Sequence, residues 1–123
     1  MDKRRSLRFD TVFPVIISSD QFGEANAIAR NVSAGGILLE LSDPLPLGTR
    51  VRVHFCMLAR SFAAEDGPTI VARGEVKNHY FLNFADASGG PRSLTGMAVR
   101  FTEFETDSRD HFAEGIGQLR VMH

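Results

Sequence analysis

The chain has 123 residues, 43% of them hydrophobic and 24% charged, a balance that excludes a disordered or fibrous protein and suffices for one core without disulfide staples. A formal net charge of -1 excludes binding to nucleic acid by bulk charge alone. A lone cysteine, Cys56, excludes an internal disulfide and reads as a reducing compartment; with no apolar run near the roughly 20 residues that cross a bilayer and no apolar segment after the charged N-terminus, a cytoplasmic protein without membrane insertion is expected.

Residues 1–8 form a basic N-terminal arm, in which Lys3, Arg4, Arg5 and Arg8 stand against Asp2 alone. Arginine dominates throughout: only Lys3 and Lys77 among the basic residues are lysine, and a planar guanidinium suits forked recognition of phosphate or a base edge. The remainder, 9–123, reads as one domain. Its dominant pattern is period two, the mark of half-buried strands. Phe9, Thr11, Phe13, Val15 and Ile17 alternate with Asp10, Val12, Pro14, Ile16 and Ser18. Weaker strands follow around Glu24–Asn31 and Gly36–Ser42. Val51, Val53, Phe55 and Met57 alternate in the next run, Ile70, Ala72, Gly74 and Val76 in the one after, and Met97, Val99 and Phe101 in the last.

Turn residues separate these runs: Asp20 to Gly23, Ser42-Asp43-Pro44, Leu47-Gly48-Thr49 and Asp66-Gly67-Pro68. His79 to Phe84 extends a strand or packs as a lid, and Ala85 to Ser93 reads as a long mobile loop. Only the last stretch is helical, capped by Thr106 or Asp107, with Phe112, Ile116 and Leu119 as its apolar stripe. Gly115 and Gly117 weaken it by about 1 kcal/mol each. Short strands with one terminal helix point to a closed antiparallel barrel with the helix packed on it.

Two motifs stand out. Arg4 to Arg8 is an R-x-x-x-R pattern before the first strand; alone it is an ordinary solvated basic tail. Asn31-Val32-Ser33-Ala34-Gly35-Gly36 is an N-x-S-x-x-G pattern between two strands; alone it is a turn. In this order and spacing, with Gly36 to Leu39 after the second motif and Gly96 to Phe101 late in the chain, the sequence resembles the PilZ domain family, bacterial receptors for cyclic di-GMP. The resemblance runs from Arg4 to about Leu119. It implies an all-β fold: a six-stranded antiparallel barrel with a C-terminal α-helix. It also implies that Arg4, Arg8, Asn31, Ser33 and Gly36 match the ligand-binding positions. Arg5 matches a frequent extra basic position, and Asn31 stands where aspartate is commoner.

The chemistry agrees. Guanidinium groups fork onto phosphate oxygens and onto the O6/N7 edge of guanine, Asn31 offers a donor and an acceptor, and Ser33 a small hydroxyl. Gly35 and Gly36 permit close backbone approach or positive φ. Arg52, Arg73 and Arg100 fall on the outward phase of their strands; solvated faces are the default reading, with Arg100 the best additional ligand candidate. The four histidines lack metal-ligand spacing, Ser33 lies in no nucleophile elbow, and no G-K-[ST] makes Gly35-Gly36 a Walker loop. The expectation is therefore a non-enzymatic, monomeric or weakly dimeric adaptor. It needs no cofactor beyond its ligand, changes the conformation of its arm on binding cyclic di-GMP, and signals to an effector protein. The alternative is a degenerate PilZ-like interaction module, without nucleotide, in motility or polarity regulation. A single-stranded nucleic-acid binder is disfavoured for want of aromatic platforms.

Overall fold

Alternation of apolar and polar residues along six segments closes a sheet on itself. The computed structural model describes residues 8–57, 68–85 and 91–122, the side chains of 82–85, 91–94 and 122 excepted. The strands are β1 (Phe9–Ser19), β2 (Gly23–Ser33), β3 (Gly36–Leu41), β4 (Arg50–Phe55), β5 (Ile70–Ala85) and β6 (Pro91–Phe104), followed by helix α1 (Ser108–Met122). All neighbours are antiparallel, and the order around the closed barrel is β1-β2-β3-β6-β5-β4. The expected fold class is thus the observed one.

Inward-pointing Val15, Ile17, Ala29, Val32, Leu39, Val53, Ile70, Val76, Met97 and Val99 are each at most 2% exposed and fill the barrel. One end is closed by aromatic rings. Phe55 stacks on Phe13 at 5.5 Å, and Phe112 of α1 meets Phe101 at 5.3 Å and Phe104 at 4.9 Å. Helix α1 therefore lies on the barrel by the stripe its sequence shows, with Phe112 and Ile116 buried. Gly115 permits this close approach: a Cβ there would meet Met57 at 3.0 Å. Its intrinsic helix cost is offset by that packing, whereas Gly117 has open space.

Three expectations are corrected, and one of the two expected helix caps is selected. Residues Ala85 and Pro91 to Ser93 are not loop: β5 and β6 continue as a paired hairpin out to Ala85 and Pro91, so His79 to Phe84 extends a strand. The strand ending in Met57 stops at Phe55, and the motif residues Asn31 and Ser33 lie in β2 rather than in a turn. Helix α1 begins at Ser108, after Asp107 at φ 68°, whose carbonyl accepts the His111 N–H at 3.4 Å; Thr106 lies outside it. Aspartate tolerates that left-handed conformation better than most residues. Most of the predicted turn at Asp66-Gly67-Pro68 lies outside the described residues.

Candidate functional site on the outer barrel wall

A one-residue irregularity builds the site. Along β2, Ala27 and Ala29 point inward, and strict alternation would carry Asn31 and Ser33 inward after them. Instead, Arg30 is an extra residue against β3: Ala29 pairs with Leu39 and Asn31 with Leu38. This β-bulge reverses the phase. Val32 becomes fully buried, while Asn31 and Ser33 are half-buried on the outer wall. Across β1, Thr11 and Val12 accommodate the same irregularity, where the register slips between Asp10 and Phe13.

The register then aligns the motif residues in one row. Phe9 pairs with Val32, so Arg8, one step earlier and exposed, comes opposite Ser33. Ser33 pairs with Gly36, Gly36 with Arg100, Arg100 with Glu75, and Glu75 with Arg50. A second row lies two residues along, on the same face: Asp10, Asn31, Leu38 and Ala98. Neighbouring strands are about 4.8 Å apart, so Arg8 and Arg100 flank a strip about 14 Å wide. Asn31, Ser33 and Gly36 form its floor. Arg4 and Arg5 lie outside the described residues.

The turn joining β2 to β3 is Ala34-Gly35, and two hydrogen bonds hold it. The Gly35 N–H donates to Ser33 Oγ at 3.2 Å, and the Gly35 carbonyl accepts the Phe101 N–H at 2.9 Å. Neither motif glycine has positive φ; among the described glycines only Gly23 and Gly48 do. Gly36 is required for a different reason: a Cβ there would stand 2.5 Å from the Val99 carbonyl oxygen. Gly35 has open space around it. Gly74, which the motifs do not mark, resembles Gly36, with Arg100 O and Val99 Cγ1 each 2.6 Å from a would-be Cβ.

The three outward arginines divide. Arg52 binds Glu105, its Nε at 2.8 Å and a terminal nitrogen at 2.6 Å from the same carboxylate oxygen. Arg73 pairs with Glu103 at 3.1 Å. Both are committed to charges at the foot of α1, so the default reading holds for them in a more specific form. The signal was present in the acidic residues 103 and 105, which do not simply face water. Arg100 forms no ion pair within 4.0 Å among the described residues. Its neighbour Glu75 accepts no hydrogen bond from it; the Glu75 carboxylate accepts from Lys77 Nζ at 2.8 Å. That hydrogen bond and then the Lys77 charge hold the Glu75 carboxyl below the usual glutamate range; desolvation opposes them, and the Arg100 and Arg50 charges add the weakest lowering effects. Among the described residues, no cluster of His, Cys, Asp and Glu is arranged to hold a metal, and no helix is long and apolar enough to cross a membrane.

Comparison with solved structures places this architecture. The chain is similar to the PilZ domain of Escherichia coli YcgR with c-di-GMP: 13% identity, TM-score 0.74, covering 98% of this chain and 94% of that one. It is similar to the Bacillus subtilis inhibitor of motility MotI/DgrA, at 20% identity and TM-score 0.70, covering 99% of this chain and 53% of that one. The K. pneumonia MrkH–c-di-GMP complex aligns at 18% identity and TM-score 0.71 over 99% of this chain and 54% of that one. The chain thus spans about half of the latter two proteins and nearly all of the first domain. No curated protein matches it. At such low identities these likenesses speak for the fold alone, but the sequence itself matches the PilZ domain across residues 2–118. The chain belongs to the PilZ domain family.

Proposed function

We propose that this protein is a non-enzymatic receptor for cyclic di-GMP that binds the ligand on the outer barrel wall. The observation that carries this reading is the row Arg8, Ser33, Gly36 and Arg100, with Asn31 beside it: guanidinium groups at both ends of a strip with polar groups along its floor. The strip's width of about 14 Å suits a compact ligand with two phosphates and two purines. Arg8 and Arg100, joined by Arg4 and Arg5 of the arm, bind phosphate oxygens and guanine edges through forked hydrogen bonds. Asn31 reads a base edge, and Ser33 and Gly36 keep the floor low enough for contact. The c-di-GMP in the YcgR and MrkH structures supports the ligand class.

Ligand uptake changes the conformation of the arm, because residues 1–8 carry four cations and one anion, and two phosphates cancel their mutual repulsion. An effector protein then reads the altered surface, which makes the chain a cytoplasmic adaptor. Calorimetric titration with cyclic di-GMP, with GTP as the control, tests the binding. Saturable heat with cyclic di-GMP alone is expected, and its absence favours the nucleotide-free interaction module. Trypsin cleavage after Arg4 and Arg5 is expected to slow when ligand is present; equal rates with and without it reject the arm's role.

A further inference from the structure

Glu75 stands across one ladder from Arg100 and across the other from Arg50, so two guanidinium groups flank its carboxylate. Neither forms an ion pair with it within 4.0 Å. The carboxylate is taken instead by Lys77, two residues along the same strand and on the same face, at 2.8 Å. Lys77 sits where the β5–β6 register shifts between Val76 and Asn78, an irregularity of the kind that re-aims a side chain.

We propose that Lys77 is a latch that holds Glu75 off Arg100, leaving the Arg100 guanidinium open to a phosphate of the nucleotide. Glu75 in turn sets the affinity by competing with that phosphate for the same cation. The proposal rests on the nucleotide reading above and adds the regulation of that site. The physical case is one of alternatives. An arginine and a carboxylate directly opposite on a sheet form a forked pair when nothing intervenes. Here a lysine intervenes, and the lowered Glu75 carboxyl owes more to Lys77 than to either arginine. Arg73, whose cross-strand partner Glu103 has no such lysine, is paired with it at 3.1 Å. Arg100 differs from Arg73 in this respect.

The test is a double-mutant cycle read by calorimetric titration with cyclic di-GMP. Lys77→Met releases Glu75 onto Arg100 and weakens binding about two- to fivefold, the range of exposed ion pairs. Glu75→Gln removes the competitor and tightens binding by about the same factor. Adding Lys77→Met to Glu75→Gln has no further effect, and Lys77→Arg restores the wild-type affinity. If Lys77→Met weakens binding equally in both backgrounds, lysine acts through its own charge and the latch is wrong. Thermal melts confirm that each variant is folded. The latch is also read without ligand, from the Arg100 Nε–H resonance: it shifts in Lys77→Met and stays in place in the double variant. A resonance that ignores Lys77→Met overturns the latch. A wild-type chain that takes up no cyclic di-GMP overturns the nucleotide reading, and with it the role of the opened arginine.

Discussion

The hydroxyl of Ser108, the first residue of α1, accepts the backbone N–H of Val71 in β5 at 2.9 Å, and it does so almost out of water, at 3% exposure. The Glu105 N–H donates to the carbonyl of the same Val71 at 3.0 Å. Both backbone groups of one strand residue are thus spent on the approach to the helix, which fixes where α1 meets the barrel. Ser108→Ala leaves the Val71 N–H buried without its partner. A loss of about 1–3 kcal/mol is expected in denaturant unfolding, with cyclic di-GMP affinity unchanged because Ser108 is remote from the wall strip.

The two motif glycines are expected to separate cleanly. Gly36→Ala drives a Cβ to within 2.5 Å of the Val99 carbonyl oxygen, so β3 and β6 must part locally. It should cost about 1–3 kcal/mol and weaken the ligand by distorting the floor. Gly35→Ala meets open space at ordinary φ and should fall within about 0.5 kcal/mol of the parent. Chemical denaturation of both variants decides the matter. Equal stabilities would mean that the ladder yields more easily than its geometry indicates.

Arg8→Ala should reduce cyclic di-GMP affinity by about ten- to a hundredfold, the value of a lost charge-assisted hydrogen bond. Arg8→Lys should also bind less well, since an ammonium cannot form the planar fork. Asn31→Ala removes the proposed base-edge contact and should fall at the lower end of that range. Titration calorimetry measures all three, and unchanged affinity in Arg8→Ala removes that residue from the site.

Acid titration carries a sign. The Glu75 carboxyl lies below the usual glutamate range in the folded chain, chiefly because of the Lys77 hydrogen bond. Its contribution to stability is therefore complete above the unfolded-state value and is lost as pH falls through the folded-state value. The stability difference between the parent and Glu75→Gln should be constant at neutral pH and close on acidification. A difference that widens in acid would contradict the assignment.

Period two in the apolar residues was enough to place all six strands, and the terminal stripe of Phe112, Ile116 and Leu119 to place the helix. Of the motif residues, Arg8, Asn31, Ser33 and Gly36 come together on the outer wall, while Arg4 and Arg5 lie outside the described residues. What escaped was whatever depends on a partner distant in sequence. Alternation alone cannot show that Arg30 bulges, since the extra residue is defined only against β3. The outer β5–β6 hairpin escaped because Gly89-Gly90-Pro91 is turn chemistry that overshadowed the pairing around it. For Gly36 the sequence left close backbone approach and positive φ both open; it is the closeness to Val99, a contact between strands far apart in the chain, that makes it matter. Ser108 carried no signal at all, because a serine near a helix start has an ordinary local explanation.

The bulge at Arg30 makes β2 behave like a reading frame. Between Ala29 and Val32 the count of residues, rather than their identity, decides which side chains meet solvent. Deleting Arg30 would shift the frame by one: Asn31 and Ser33 would turn into the apolar interior and Val32 would take their place outside. Loss of that single arginine should therefore be far more damaging than its exposed side chain suggests, whereas its replacement by another residue that keeps the count should be tolerated. In this strand a gap in the sequence is a graver change than a substitution, because it exchanges the inner surface of the barrel for the outer one.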